Sequence, residues 1–442
     1  MKKIVTIILA LALIASVAVG LVACNDAEIK DSNEVEIPAL ANMDVVDYSN
    51  TTIPADFKIG VICLHGEEST YDLNFINSAK AAAKALGLKD DQLIIQTNVS
   101  EDPGECSKAA KDLIDNKNCK AIFADSFGHQ FDMVELAALY PNVQFCHATG
   151  DNAKAANLPN YFNAFASIYE GRFLAGIAAG LKLYEINKGK DADKQNYQMG
   201  YVGAWTYAEV ISGYTSFFLG AKYALNEKEA GLGDKLTMKV KFTGSWYNVT
   251  AEKNAANALI AAGCALISQH ADSLGAPSAC EAAGIPNVSY NGSTIEACPN
   301  TFIVSSRIDW TPYLTHIIAM AATGGEITPE YVGTLNNGAV ALTKVNGDVM
   351  AEGTIEAIVA ARAKLVAKTL YVFDTATFKV KGQTITEKIV NGKNVIENGV
   401  FKESDPTVRS APYFDYDEID GITCLNRVYD TNKETGEPEF IE

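Results

Sequence analysis

From residue 58 onward the chain repeats one unit: a short apolar run rich in β-formers, a turn, then an amphipathic stretch rich in Ala and Leu. The runs fall at 58–64, 92–97, 121–124, 143–147, 199–204, 239–243, 265–269, 288–291 and 302–305, with helical patterns such as 72–86, 132–139, 171–183 and 251–262 between them. Runs that stay apolar instead of alternating predict strands covered on both faces. Their alternation with helices predicts parallel βαβ units with right-handed crossovers. One sheet holding all these strands would be long, so two smaller doubly wound, Rossmann-like lobes are expected. A ligand would then sit between them, at the carboxyl ends of the strands.

The stretch before this rhythm reads differently. Lys2 and Lys3 precede an almost unbroken apolar run over 4–22 that closes on Leu21-Val22-Ala23-Cys24. This is the pattern of an export signal, and its ending has the form of a bacterial lipobox, so residues 1–23 are expected to be a signal peptide and Cys24 the lipidated residue. Residues 24–55 carry acidic groups, Asn and Pro with few periodic apolar positions, as a tether would. No later stretch approaches the apolar length of a transmembrane helix. The expected location is the extracytoplasmic face of a bacterial membrane.

Charge narrows the partners. With 36 Lys and Arg against 54 Asp and Glu the net charge is −18, which argues against nucleic acid. Eight cysteines follow Cys24, none in a C-x-x-C pair, which gives little support to a zinc or iron–sulfur site. Cys63, Cys146 and Cys264 read as small core residues, whereas Cys106 with Cys119 and Cys280 with Cys298 are pairs that could bridge in an oxidising space.

The loops that follow the strands form the candidate wall of a cleft. They hold every tryptophan of the chain, Trp205, Trp246 and Trp310, with Tyr71, Phe75, Phe127, Tyr207 and Tyr247. They also hold Asp72, Asn74, Asp125, Glu209, Gln269, Asp272, Asn291 and Asp309, and apart from Arg307 no Lys or Arg. A site for phosphate or a free carboxylate would present a cation or a glycine-rich helix start, and neither a P-loop nor a GxGxxG fingerprint is present. Aromatic faces with carboxylates and amides suit a neutral, flat, hydrogen-bond-rich molecule instead: a purine base or nucleoside, or a sugar. Each ring could also be capping the core, and Asp72 could be no more than a helix cap. No cofactor or metal is called for.

At these loops the sequence resembles the basic membrane protein family of substrate-binding lipoproteins, which includes purine nucleoside receptors of ABC transporters. The resemblance rests on Lys58-Ile59-Gly60-Val61 leading into Ser69-Thr70-Tyr71-Asp72, on Phe123-Ala124-Asp125-Ser126-Phe127-Gly128, on Tyr169-Glu170-Gly171-Arg172-Phe173, and on Gly244-Ser245-Trp246, Gln269-His270-Ala271-Asp272-Ser273 and Tyr290-Asn291. It covers about residues 57–370. It implies an α/β type I periplasmic-binding-protein fold, two lobes joined by a multi-strand hinge, closing on a purine nucleoside or base for delivery to an ABC permease and its ATPase. The expected division is 56–165 with 309–330 for the first lobe, 166–308 with 331–372 for the second, and a C-terminal extension over 373–442. Expected ligand contacts are Tyr71, Asp72, Asn74, Phe75, Asp125, Ser126, Phe127, Gly128, Trp205, Glu209, Trp246, Gln269, Asp272, Asn291 and Trp310. The family's nucleoside receptors usually carry Asn-Asp where this chain has Tyr71-Asp72, and Phe where Trp205 or Trp246 stands, which leaves a free base or a modified nucleoside open.

Two rivals were weighed. An exported hydrolase would need a nucleophile with a placed histidine, and none of His65, His129, His147, His270 and His316 belongs to a compact catalytic pattern. A ligand-sensing or interaction lipoprotein of the same fold is distinguished from a transport component only by its partners.

Overall fold

The computed structural model describes residues 33–40, 43–402, 412–431 and 438–441. Cys24 and the expected signal peptide lie outside them. All that follows belongs to one unit, Glu34–Glu442.

Two sheets carry the fold. The first has six parallel strands, β1 (Ile59–Ile62), β2 (Leu93–Gln96), β3 (Ala121–Ala124), β4 (Gln144–Ala148), β5 (Tyr161–Ala166) and β11 (Glu330–Gly333), in the order β11-β5-β4-β3-β1-β2. The second has seven: β6 (Gln198–Gly203), β7 (Thr237–Phe242), β8 (Leu266–Gln269), β9 (Asn287–Tyr290), β10 (Phe302–Ile308), β12 (Val340–Leu342) and β13 (Ile422–Cys424), in the order β12-β10-β9-β8-β6-β7-β13. Only β12 runs antiparallel to its neighbour. β1, β3, β8 and β9 are buried at every position; β1 and β3 accordingly read as unbroken apolar runs, whereas β8 and β9 bury Ser268, Gln269, Asn287 and Ser289 among their apolar residues.

The chain passes between the sheets after β5, after β10 and after β11. Between β1 and β2 runs α1 (Thr70–Ala85); α2 (Glu105–Lys111), α3 (Gln130–Leu139) and a single helical turn at Ala153–Ala156 follow before the first crossing. On the second lobe α4 (Ile168–Asn187) and α5 (Ala208–Lys228) are apolar nearly all round and mostly buried, as expected of helices enclosed by a sheet and each other. Their backbones touch at glycine: a Cβ on Gly176 would lie 2.1 Å from the Phe217 carbonyl oxygen, and one on Gly220 2.0 Å from that of Phe173. Then come α6 (Val249–Ala261), α7 (Gly275–Ala283), α8 (Thr311–Thr323), which packs on α1, and α9 (Thr354–Val366), which packs on α4.

The stretch after residue 373 is more than a tail. β13 adds to the outer edge of the second sheet beside β7, and β14 (Arg427–Thr431) pairs with β15 (Pro438–Ile441) as an antiparallel hairpin. All eight cysteines from Cys63 to Cys424 are buried free thiols, so neither pair that could have bridged does so.

Candidate functional site

The loop from β1 to α1 builds the first wall. Ser69 caps α1 by accepting from the Asp72 N–H, so Asp72 is not the cap; it stands in the first turn with its side chain turned back into the loop. There its carboxylate accepts from the His65 N–H at 2.8 Å, with the His65 ring nitrogen 3.4 Å away. Asp125, at the end of β3, is wholly buried; its Oδ1 accepts from the Leu64 N–H and its Oδ2 has no hydrogen-bond partner. Tyr71 donates its hydroxyl to the Asp125 carbonyl at 2.8 Å.

Donor atoms of Cys63, Asp72 and Asp125 lie within 4.8 Å of one another. Burial, followed by the charge of Asp72, pushes the Asp125 carboxyl well above its usual range; burial and Asp125 do the same to the Cys63 thiol. Burial acts against ionisation of Asp72 too, but hydrogen bonds from His65 and Ser69 outweigh it and hold that carboxyl low. Within the cluster, Asp72 is thus favoured as the ionised partner, and its charge pushes Asp125 toward the protonated form.

The second wall comes from loops after β7, β8 and β9. The Asp272 N–H donates to the Trp246 carbonyl, and Asn291, at φ +61°, donates its amide to the Asp272 carboxyl at 3.0 Å. Burial, then the neighbouring Glu252 and Asp72, push Asp272 well up as well. Glu252 on α6 holds this loop by accepting from the Asn248 and Ser273 N–H groups; fully buried, its own pKa is raised to about 7, chiefly by loss of water. The walls touch: Thr70 donates its N–H and its hydroxyl to the Asp272 carbonyl, both at 3.0 Å, and the His65 and Tyr247 rings stand 5.0 Å apart.

A cavity of about 720 Å³ opens beside Trp246, whose carbonyl accepts from the Asp272 N–H; Asp72, Asp125 and Asp272 are themselves buried and do not line it. Phe127 lines it from the first lobe, and Trp205, Tyr207 and Trp246 from the second, with Trp205 and Tyr207 stacked at 7°. Glu101 lies on its rim, its carboxylate accepting from the Ser126 hydroxyl and the Gly128 N–H, both at 2.6 Å. Ser126 and Gly128 therefore shape the loop that presents Phe127.

Of the fifteen expected contacts, Phe127, Trp205 and Trp246 line this cavity; the other twelve do not, and four of those, Phe75, Trp310, Asn74 and Gln269, are spent on packing or on holding the backbone. Phe75 and Trp310 are buried in the first-lobe core, stacked on each other at 4.7 Å, because α1 turns Phe75 inward. Asn74 is spent on the crossing after β10, donating to the Ile308 carbonyl and accepting from Arg307, which itself pairs with Asp309 at 2.7 Å. Gln269 donates its amide to the Ala271 and Ser273 carbonyls and so pins the loop that carries Asp272.

One group escaped the sequence reading. Arg172, buried in α4, lies 3.3 Å over the Tyr290 ring, donates to the Gln269 carbonyl and reaches His270 Nδ1 at 2.9 Å; His270 Nε2 is 2.8 Å from Glu209. Burial pushes His270 down, so it is a neutral imidazole that accepts from Arg172 at Nδ1 and donates to Glu209 at Nε2. Glu209 is thereby placed by the chain's own arginine. In the sequence, Arg172 stands within the segment Tyr169–Phe173 that carries the family resemblance, with no contact role expected of it.

Two doubly wound lobes crossed three times by the chain, with a polar, aromatic-walled site where their strand ends meet, define a two-lobed solute-binding protein. The chain belongs to the Bmp family, PnrA-like substrate-binding proteins of ABC transporters, whose pattern matches residues 61–375. It is 31% identical over 236 residues to a purine-binding protein of Brucella abortus, covering 53% of this chain and 59% of that one. It is 32% identical over 192 residues to a Haloferax volcanii protein named as an ABC transporter glucose-binding protein, covering 43% of each. The match thus spans about half the length of these curated relatives. Among solved structures, ABC transporter solute-binding proteins of Conexibacter woesei and Aeropyrum pernix superpose with TM-scores of 0.56 and 0.57 at 18% and 16% identity, each over 71% of this chain and over 97% and 92% of their own. The family consists of solute-binding proteins, which sets the exported hydrolase aside.

Proposed function

We propose that this protein is a lipid-anchored extracytoplasmic receptor that captures a purine nucleoside or purine base between its lobes and hands it to an ABC permease driven by its ATPase. The observation that carries the ligand class is the character of the cleft. The described residues lining the 720 Å³ cavity include four large aromatics of the two lobes, Phe127, Trp205, Tyr207 and Trp246, and no Lys, Arg or His. Its lining also holds the carboxyls of Glu101 and Asp430, and in the buried loops of the two walls the Asp72 carboxyl is held low while those of Asp125 and Asp272 are pushed up. A carboxyl pushed toward its protonated form donates as well as accepts, so the trio, once uncovered by lobe opening, can meet both the N–H groups and the ring nitrogens of a purine edge while the rings stack on its faces. A phosphate would find no cation.

The similarity to a purine-binding relative supports the same class. A sugar is the second reading, supported by the glucose-binding name of the archaeal relative and by the fit of aromatic faces and carboxylates to hydroxyl-rich rings. The closed contact of Thr70 with Asp272 supports capture by lobe closure, in which ligand favours the closed state by its differential affinity. Anchoring through Cys24 rests on the lipobox alone. Radiolabelled lipid incorporation that Cys24→Ala abolishes would establish it, and unchanged incorporation would refute it. For the ligand, titration calorimetry with inosine, guanosine, adenosine, their free bases and glucose decides: purine binding supports the proposal, and binding of glucose alone overturns it.

A further inference from the structure

The family pattern ends at residue 375, yet the chain beyond it returns to the cleft. After β13 the backbone is fixed to the second lobe at successive points. Leu425 donates to the Val240 carbonyl; Asn426 accepts from the Phe242 N–H and donates to its carbonyl. Val428 exchanges two bonds with Thr206, accepting from its N–H at 2.8 Å and donating to its hydroxyl oxygen at 2.9 Å. Thr206 lies between Trp205 and Tyr207, so the hairpin β14–β15 is tied to the loop that carries two of the aromatic walls.

The fit on the far side is equally close. Gly244, at φ +72°, leaves the space that Pro438 occupies: a Cβ there would stand 2.4 Å from the Pro438 Cβ and 3.3 Å from the Phe440 ring. Pro438 and Phe440 then line the same cavity as Trp205 and Trp246, and Phe440 keeps half its surface exposed. An exposed phenylalanine beside an aromatic cavity is a costly surface unless something covers it. The cavity volume falls in the range of pockets for drug-sized ligands, about 300–1,000 Å³, and exceeds what a lone purine ring requires.

Building on the purine reading above, we propose that the C-terminal hairpin is a specificity-determining wall of the ligand chamber. Pro438 and Phe440 close its outer side around the part of the ligand that extends beyond the flat ring, the ribose of a nucleoside. The hairpin thereby selects nucleosides over bare bases.

The test uses the full chain and its Phe440→Ala and Gly244→Ala variants. Inosine and guanosine, with hypoxanthine and guanine as their bases, are titrated by calorimetry. Phe440→Ala is expected to weaken nucleosides at least fivefold and the bases less than twofold; an unchanged nucleoside-to-base ratio overturns the proposal. A second readout needs no ligand. Trp310 is buried, so quenching of tryptophan fluorescence by acrylamide reports Trp205 and Trp246, and Phe440→Ala is expected to increase it. Because Phe440 is half-exposed, its truncation leaves the core intact; Gly244→Ala should raise quenching too by pushing Pro438 off its seat. If the wild type binds no purine, the functional reading fails, and quenching alone then decides the wall: a rise supports it and no change refutes it.

Discussion

Glu252→Gln tests how the cleft is held together. Glu252 is fully buried, and its pKa of about 7 in the folded chain compares with 4.5 for an ordinary glutamate. The folded state therefore holds this proton where the unfolded chain has lost it, so stability falls as pH rises through this interval. Between pH 5 and pH 8, pKa values of 4.5 and about 7 give a loss of roughly 2–3 kcal/mol from this residue. Glutamine keeps an acceptor for the Asn248 and Ser273 N–H groups but does not titrate. Urea unfolding at the two pH values should show the variant losing roughly 2–3 kcal/mol less than wild type. The same substitution removes a charge that opposes ionisation of Asp272, so purine affinity in the variant should depend less on pH across neutrality. Equal pH slopes in the two proteins would mean that Glu252 is ionised when folded, and the electrostatic account of this wall would be wrong.

Asp125→Asn should leave the melting temperature within a few degrees of wild type, because burial already pushes that carboxyl toward its protonated form, whereas Asp72→Asn should weaken ligand on the order of 10- to 100-fold, since it removes the buried carboxyl that His65 and Ser69 hold low; calorimetry and thermal unfolding read both. Trp246→Ala should cost about 1–3 kcal/mol of binding, roughly 5- to 150-fold in Kd, with little change in stability because the side chain lines the cavity. Gly220→Ala should destabilise by roughly 3 kcal/mol or abolish folding, since its methyl would meet the Phe173 carbonyl at 2.0 Å; circular dichroism melting decides, and an unchanged melt would contradict the close helix contact.

The double sheet was legible because its central strands are covered on both faces and so read as apolar runs. β5 was not: its sequence YFNAFA carries Asn163, a polar residue that the fold satisfies internally by donating to the Gly150 carbonyl. β12 and β13, at three residues each, have too few to show a period. Asp72, Asp125, Asp272 and the aromatic walls were legible because a parallel sheet gathers its strand ends at one edge. The direction of a side chain was not. Phe75 and Trp310 looked like stacking surfaces until α1 and α8 turned them toward each other. Glu101 and Phe440 reach the cavity through loop and hairpin geometry, for which no local pattern exists.

The most direct test of the central claim is the calorimetric titration of the purified protein with inosine, guanosine, adenosine, their bases, the matching 5′-monophosphates and glucose. The account predicts saturable one-to-one binding of a purine nucleoside or base, with the monophosphate weaker by at least tenfold for want of a cation. Tight binding of a monophosphate, or of glucose with no purine, would contradict it.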